Sequence, residues 1–136
     1  MAKQRFLLDT NILSELIRQP DGVIAQRIAE EGEDTICTSI IVACELRYGA
    51  LKKGAQALSE RIEALLGVIE VLALEEDADN HYAAIRCELS RNGQPIGAND
   101  LLIAAHARAL NLTVVTANER EFSRVPSLQV ENWLRE

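Results

Sequence analysis

Aromatic side chains are scarce, at 4% of 136 residues, so the core is expected to be aliphatic, built from Leu, Ile, Val and Ala. Cysteine is scarce too. Cys37, Cys44 and Cys87 form no CxxC pair, and His81 and His106 complete no zinc pattern. The three thiols read as buried and reduced. An excess of positive charge is missing: 14 Lys and Arg face 21 Asp and Glu, for a net charge of −7. That argues against a broad basic surface for gripping phosphates. It leaves open a small contact focused on a bound cation, which would reverse the local field. Long apolar runs are absent as well. The mostly apolar stretch from Ile36 to Cys44 is far below a membrane span, and the run after Met1-Ala2-Lys3-Gln4-Arg5 is too short for a signal peptide. The cytoplasm is the default location. No GxxxxGK[ST] loop occurs, which disfavours P-loop nucleotide hydrolysis.

What is present fits one ordinary globular domain over residues 1–136, with 48% hydrophobic and 26% charged residues. Short β-rich runs alternate with helical patterns. Strands are expected at Arg5–Asp9, Thr35–Thr38, Val68–Leu72, Thr113–Thr116 and Leu128–Glu131. Between them, Ile12, Leu13, Leu16 and Ile17 share one helical face, with Asn11 as its cap and Pro20 as its stop. Asp21 caps a second helix that ends at Gly32. Ser39 caps a third, running to about Lys53 before Gly54. Gly67 ends a fourth that starts near Gln56. A longer helix starts at Asp77 or Asp79 and ends at Asn92-Gly93. Asn99 caps the helix from Asp100 to about Leu110, and a short helix covers Glu119 to Ser123. The order predicts an α/β fold: a mostly parallel central sheet of four to five short strands, flanked by helices.

Two aspartates stand at element boundaries. Asp9 ends the apolar run Phe6-Leu7-Leu8, and Asp100 opens the apolar stretch Leu101-Leu102-Ile103-Ala104-Ala105. The carboxyl edge of an α/β sheet is where ligands bind. Either acid could merely cap its helix, but Asn11 and Asn99 compete for that job. Glu45 lies mid-helix as a third candidate, and its plainer reading is a solvated acid paired with Lys52 or Arg47. Like charges about 4 Å apart repel by roughly 4 kcal/mol at an effective dielectric near 20, so three ionised carboxylates together need a cation. A hard divalent ion, Mg²⁺ or Mn²⁺, would answer that need.

Four stretches together carry a family likeness. They are Leu8-Asp9-Thr10-Asn11, then Ser39 to Ala50 with its Ala43-Cys44-Glu45-Leu46-Arg47-Tyr48-Gly49, then Ile96-Gly97-Ala98-Asn99-Asp100 through Ala107, and lastly Val115-Thr116-Ala117-Asn118-Glu119-Arg120-Glu121-Phe122. In this order they resemble a PIN-domain ribonuclease, specifically a VapC-type toxin, over nearly the whole chain. The resemblance implies Asp9, Glu45 and Asp100 as a metal site. It also implies a fourth acid after the fourth strand, with Glu121 preferred over Glu119 and Asn118 standing where an aspartate is common. Asn11, Thr116 and Asn118 would be supporting polar residues. The implied activity is Mg²⁺- or Mn²⁺-dependent hydrolysis of RNA phosphodiesters. The implied partners are an RNA substrate, a VapB-type antitoxin, a second copy in a homodimer, and a higher assembly with antitoxin on DNA.

The remaining polar residues divide. Arg47, Lys52 and Lys53 either complete a solvated helix end or touch RNA at the pocket rim. His106 lies six residues beyond Asp100, so it points away from that acid and reads as structural or exposed. His81 reads as a surface residue. Two other functions stay open on sequence alone: a catalytically silent PIN-like domain that only binds a partner, and a different Mg²⁺-dependent phosphohydrolase.

Overall fold

A computed structural model describes residues 4–135. Phe6–Leu8, buried on both faces, forms β1 at the centre of the sheet. A strand covered on both sides needs continuous apolar residues, which is what this run supplies. The chain continues through α1 (Thr10–Arg18), α2 (Val23–Glu31), a 3-10 turn at Glu33–Thr35, β2 (Ile36–Ser39), α3 (Ile40–Lys53), α4 (Gln56–Val68) and β3 (Glu70–Leu72). Then follow α5 (Ala78–Arg91), α6 (Ala98–Ala109), β4 (Thr113–Val115), α7 (Glu119–Phe122) and β5 (Val130–Glu131).

The five strands run in the order β3-β2-β1-β4-β5, and every pairing is parallel. The first crossovers carry the chain from β1 outward to β2 and β3. The next returns it to the other side of β1. The strand order therefore reverses between β1 and β4, and a crevice opens there at the carboxyl edge. Leu8 pairs with Val115, so the residues that follow them, Asp9 and Thr116, lie side by side at that crevice.

The core is mainly aliphatic, with Leu7, Leu8, Ile12, Leu13, Ile103 and Val114 fully buried. Three of the five aromatics are nonetheless inside it, while Tyr48 is exposed and Tyr82 partly buried. Trp133 is buried against Phe6, edge to face at 5.1 Å between ring centroids, and Arg27 covers its other side at 4.9 Å. Phe122 is also buried. Only Cys37 of the three cysteines is buried; Cys44 and Cys87 are exposed on α3 and α5, so the expectation of three buried thiols is corrected. Among the described residues no helix is long and apolar enough to cross a membrane.

Several expected caps fall elsewhere. Helix α1 begins one residue before Asn11, and Asp9 is its cap: Thr10 N donates to Asp9 Oδ1 at 2.8 Å. Gly97, not Asn99, precedes α6. Gly22 rather than Asp21 precedes α2. Gly67 lies inside α4, which continues to Val68 because Leu65 and Leu66 pack against the core on that last turn. Ser39 does cap α3, and Gly54, in the left-handed region, ends it.

Candidate functional site

The crevice gathers acids from four separate stretches. Asp9 ends β1 and is 4% exposed, yet it is fully engaged. One carboxylate oxygen caps α1. The other accepts from Thr116 Oγ1 at 2.7 Å. One side chain thus caps a helix and also faces the crevice. Burial raises the Asp9 pKa, the hydrogen bonds from Thr116 and Thr10 oppose that, and the Glu45 charge adds to the rise.

Thr116 continues a chain of contacts. Its Oγ1 accepts from Asn118 N at 2.9 Å. Asn118 Nδ2 in turn donates to Asp100 Oδ2 at 3.2 Å and to Glu121 Oε2 at 2.6 Å. Asn118 thereby holds the Asp100 and Glu121 carboxyls beside each other. Burial, then the charge of Asp9, then Glu121 and finally Glu45 push the Asp100 pKa up to about 7. Asp100 therefore feels all three other acids. Glu119, the competing fourth acid, is turned away into an ion pair with Arg135 at 2.9 Å.

Glu45 sits on α3, partly buried, and finds neither Lys52 nor Arg47. Thr10 Oγ1 donates to its Oε1 at 2.5 Å, and Asn99 Nδ2 donates to its Oε2 at 3.3 Å. Thr10 and Asn99 are two site residues that sequence reasoning did not single out. Thr10 was read only as part of a motif and Asn99 only as a cap. Their helical positions give no sign of a partner on α3, because both contacts are between elements distant in sequence. Asn11 is exposed and joins none of the described hydrogen bonds among the acids, although it lines the groove beside them.

That groove, about 530 Å³, runs from Thr10 and Glu45 over Leu46, Ala50, Leu58 and Ile62 to Arg18 and Lys53. Arg47 is occupied by Glu63 through two hydrogen bonds of 2.9 Å. Lys52 is exposed near the Tyr48 ring. His81 is partly buried, accepting from Arg108 Nε at 2.9 Å on one side and facing Asp77 on the other.

Among the described residues no three acidic, histidine or cysteine side chains stand in a closed metal cage. The donor chemistry still fits a hard cation. Every donor is an oxygen, the neighbouring acids help raise the pKa of Asp9 and of Asp100, and no Lys or Arg ion pair neutralises Asp9, Glu45, Asp100 or Glu121 among the described contacts.

A parallel α/β sheet with acids gathered at its reversal point defines a class of small nuclease-like domains, and comparison makes the class specific. The PIN domain family pattern matches residues 6–128. The chain belongs to the PIN domain family, among its VapC-type members. It is 38% identical over 130 residues to a protein named Ribonuclease VapC2 from Rickettsia felis, covering 94% of this chain and 97% of the relative. It is 38% identical over 133 residues to a tRNA(fMet)-specific endonuclease VapC from Shigella flexneri, covering 95% and 98%. Its fold is similar to a crystal structure of VapBC2 from Rickettsia felis bound to a promoter DNA fragment, with a TM-score of 0.89, 34% identity, and coverage of 96% and 99%.

Proposed function

We propose that the protein is a metal-dependent endoribonuclease, the toxin of a toxin–antitoxin pair, hydrolysing RNA phosphodiesters. The observation that carries this reading is the convergence of Asp9, Glu45, Asp100 and Glu121 at one crevice, tied together through Thr116, Asn118, Thr10 and Asn99. The names of the relatives, matched over nearly the full chain, support an RNA substrate. Mg²⁺ or Mn²⁺ suits the all-oxygen donor set of Asp9, Glu45 and Asp100, with Glu121 as the fourth acid. Such a cation, when bound, supplies Lewis-acid charge that eases deprotonation of water and stabilises the phosphoryl oxygens.

The chain's own residues do the positioning. Thr116 and the start of α1 fix both Asp9 oxygens. Thr10 and Asn99 fix Glu45. Asn118 holds the Asp100 and Glu121 carboxyls side by side. RNA entering the groove would meet Arg18 and Lys53 at its far rim, with Lys52 nearby; Arg47 would first have to leave Glu63. The same groove offers an apolar floor to a segment of a VapB-type antitoxin, and the net charge of −7 favours a partner that brings basic residues. The solved VapBC2 assembly bound to promoter DNA supports a complex of this kind for the present chain; in our reading the toxin in it is a homodimer and the antitoxin holds the DNA. Exposed Leu51 and Val68 supply apolar surface for such contacts. The toxin would act in the cytoplasm.

Antitoxin-free protein incubated with initiator tRNA and other structured RNAs, in EDTA, Mg²⁺ or Mn²⁺, tests the reading. Cleavage that needs the cation and vanishes in Asp100→Asn supports it. Cleavage unchanged in that variant comes from a contaminant and overturns the site. Antitoxin binding without cleavage of any RNA supports the silent partner-binding reading instead. Hydrolysis of small phosphate esters alone supports a different phosphohydrolase.

A further inference from the structure

Ser39 and His106 form a buried contact outside the acid cluster. Ser39 closes β2, and its Oγ accepts from Ile41 N at 3.0 Å to cap α3. The same oxygen lies 2.8 Å from His106 Nδ1. His106 is 1% exposed, and the Ala73 backbone lies near its ring, although its Nε2 completes no hydrogen bond of normal geometry among the described residues. The Ser39 hydroxyl hydrogen needs an acceptor, and Nδ1 is the one at hand. Ser39 Oγ–H therefore donates to Nδ1, and the imidazole carries its own hydrogen on Nε2. Burial holds His106 below the ordinary histidine range, outweighing the nearby Ala73 backbone and the Glu75 charge, so the ring is neutral. An apolar side chain would fill this space without stranding Nε2. Packing alone does not account for a histidine here.

The geometry of the two helices does. Helix α3 carries Ser39 at its cap and Glu45 six residues on. Helix α6 carries Asn99 and Asp100 at its start and His106 seven residues after Asn99. Ser39 meets His106, and Glu45 meets Asn99 at 3.3 Å. Two such cross-links in opposite order mean that α3 and α6 run antiparallel. At 1.5 Å rise per residue the two links lie about 9–10 Å apart along the helices. One link is fully buried. The other, at the acids, is open to solvent.

We propose that the buried Ser39–His106 hydrogen bond is the anchored rung of this pair of helices and sets the spacing of Glu45 from Asp100, which makes His106 a positioning residue for cation binding. The inference rests on the reading of the acid cluster as a cation site.

Calorimetric titration of the antitoxin-free full chain with Mn²⁺ tests it. The proteins are wild type, Ser39→Ala, His106→Leu, the double variant and His106→Asn. Outer residues that orient metal ligands typically change affinity 10- to 100-fold, so each of the first two single substitutions is expected to weaken Mn²⁺ binding about tenfold. The double variant should be no weaker than the weaker single, because Ser39→Ala already removes the bond that His106→Leu removes, together with the cap to Ile41 N. Asn offers an acceptor in place of Nδ1, so His106→Asn should recover affinity to within about threefold of wild type. With RNA, kcat should fall in His106→Leu while KM stays. A folded His106→Leu that binds Mn²⁺ like wild type overturns the proposal, and so do losses that multiply in the double variant. If His106→Leu fails to melt cooperatively, Ser39→Thr against Ser39→Ala decides: the retained hydroxyl should retain affinity, and equal affinities overturn the proposal. Wild type that binds no Mn²⁺ overturns the cation reading itself, and the proposal with it.

Discussion

Replacing Asp100 by Asn should stabilise the cation-free protein, by an amount that grows as pH rises from about 4 and is complete above neutral pH. The carboxyl ordinarily titrates near 3.8 and is pushed up to about 7 in the fold. Between those values the folded chain holds a proton that the unfolded chain has lost. Unfolding free energy therefore falls as pH rises through this window, and the full penalty is present at pH 8. At about 1.4 kcal/mol per pH unit the penalty could reach roughly 4 kcal/mol. Asp100 is only half-buried, so solvent screening brings the expected value to about 1–2 kcal/mol. For a domain of this size each kcal/mol moves Tm by roughly 3–6 °C. Thermal melts in EDTA should show Asp100→Asn above wild type by roughly 3–10 °C at pH 8, with the gap closing near pH 4. Mn²⁺ should reverse the order, raising wild type and leaving the variant where it was. A variant that melts at or below wild type at pH 8 in EDTA would show that the acids do not repel one another as described.

Other consequences are as direct. Thr116→Val removes the donor to buried Asp9 and the acceptor for Asn118 N; it should cost about 1–3 kcal/mol in urea melts and lower RNA cleavage as well. Trp133→Ala should cost about 3–5 kcal/mol, since it empties the space between Phe6 and Arg27 without touching the acids. Burial pushes the Cys37 thiol up to about 11, whereas Cys44 and Cys87 are exposed. A thiol reagent at pH 8 should therefore label two cysteines in the native protein and the third only in denaturant; rapid labelling of all three would contradict the burial of Cys37.

The sheet was legible because each strand is a short apolar run bounded by helix signals, and β1 to β5 fall within one or two residues of where the pattern puts them. The caps at the site were not. Asp and Asn are equally good caps, so Asp9-Thr10-Asn11 and Asn99-Asp100 each admitted two readings. The inference that Asp9 was spare because Asn11 would cap was mistaken: Asp9 caps with one oxygen and faces the crevice with the other. Glu45 was ambiguous for a different reason. Its local neighbours Lys52 and Arg47 were plausible partners, while its actual ones, Thr10 and Asn99, come from α1 and α6. Likewise Ser39 was readable as a cap, but its bond to His106 depends on α6 returning beside α3. Long-range contacts of this kind leave no local periodicity to read.

We propose that Asp9, Glu45, Asp100 and Glu121 act as one cation-dependent RNA-cleaving site. Single-turnover cleavage of initiator tRNA, followed as Mn²⁺ is titrated into antitoxin-free protein, tests it most directly. The cleavage rate should rise along the same curve as Mn²⁺ occupancy, and both should be lost in Asp9→Asn. Full cleavage in excess EDTA, or in Asp9→Asn, would contradict it.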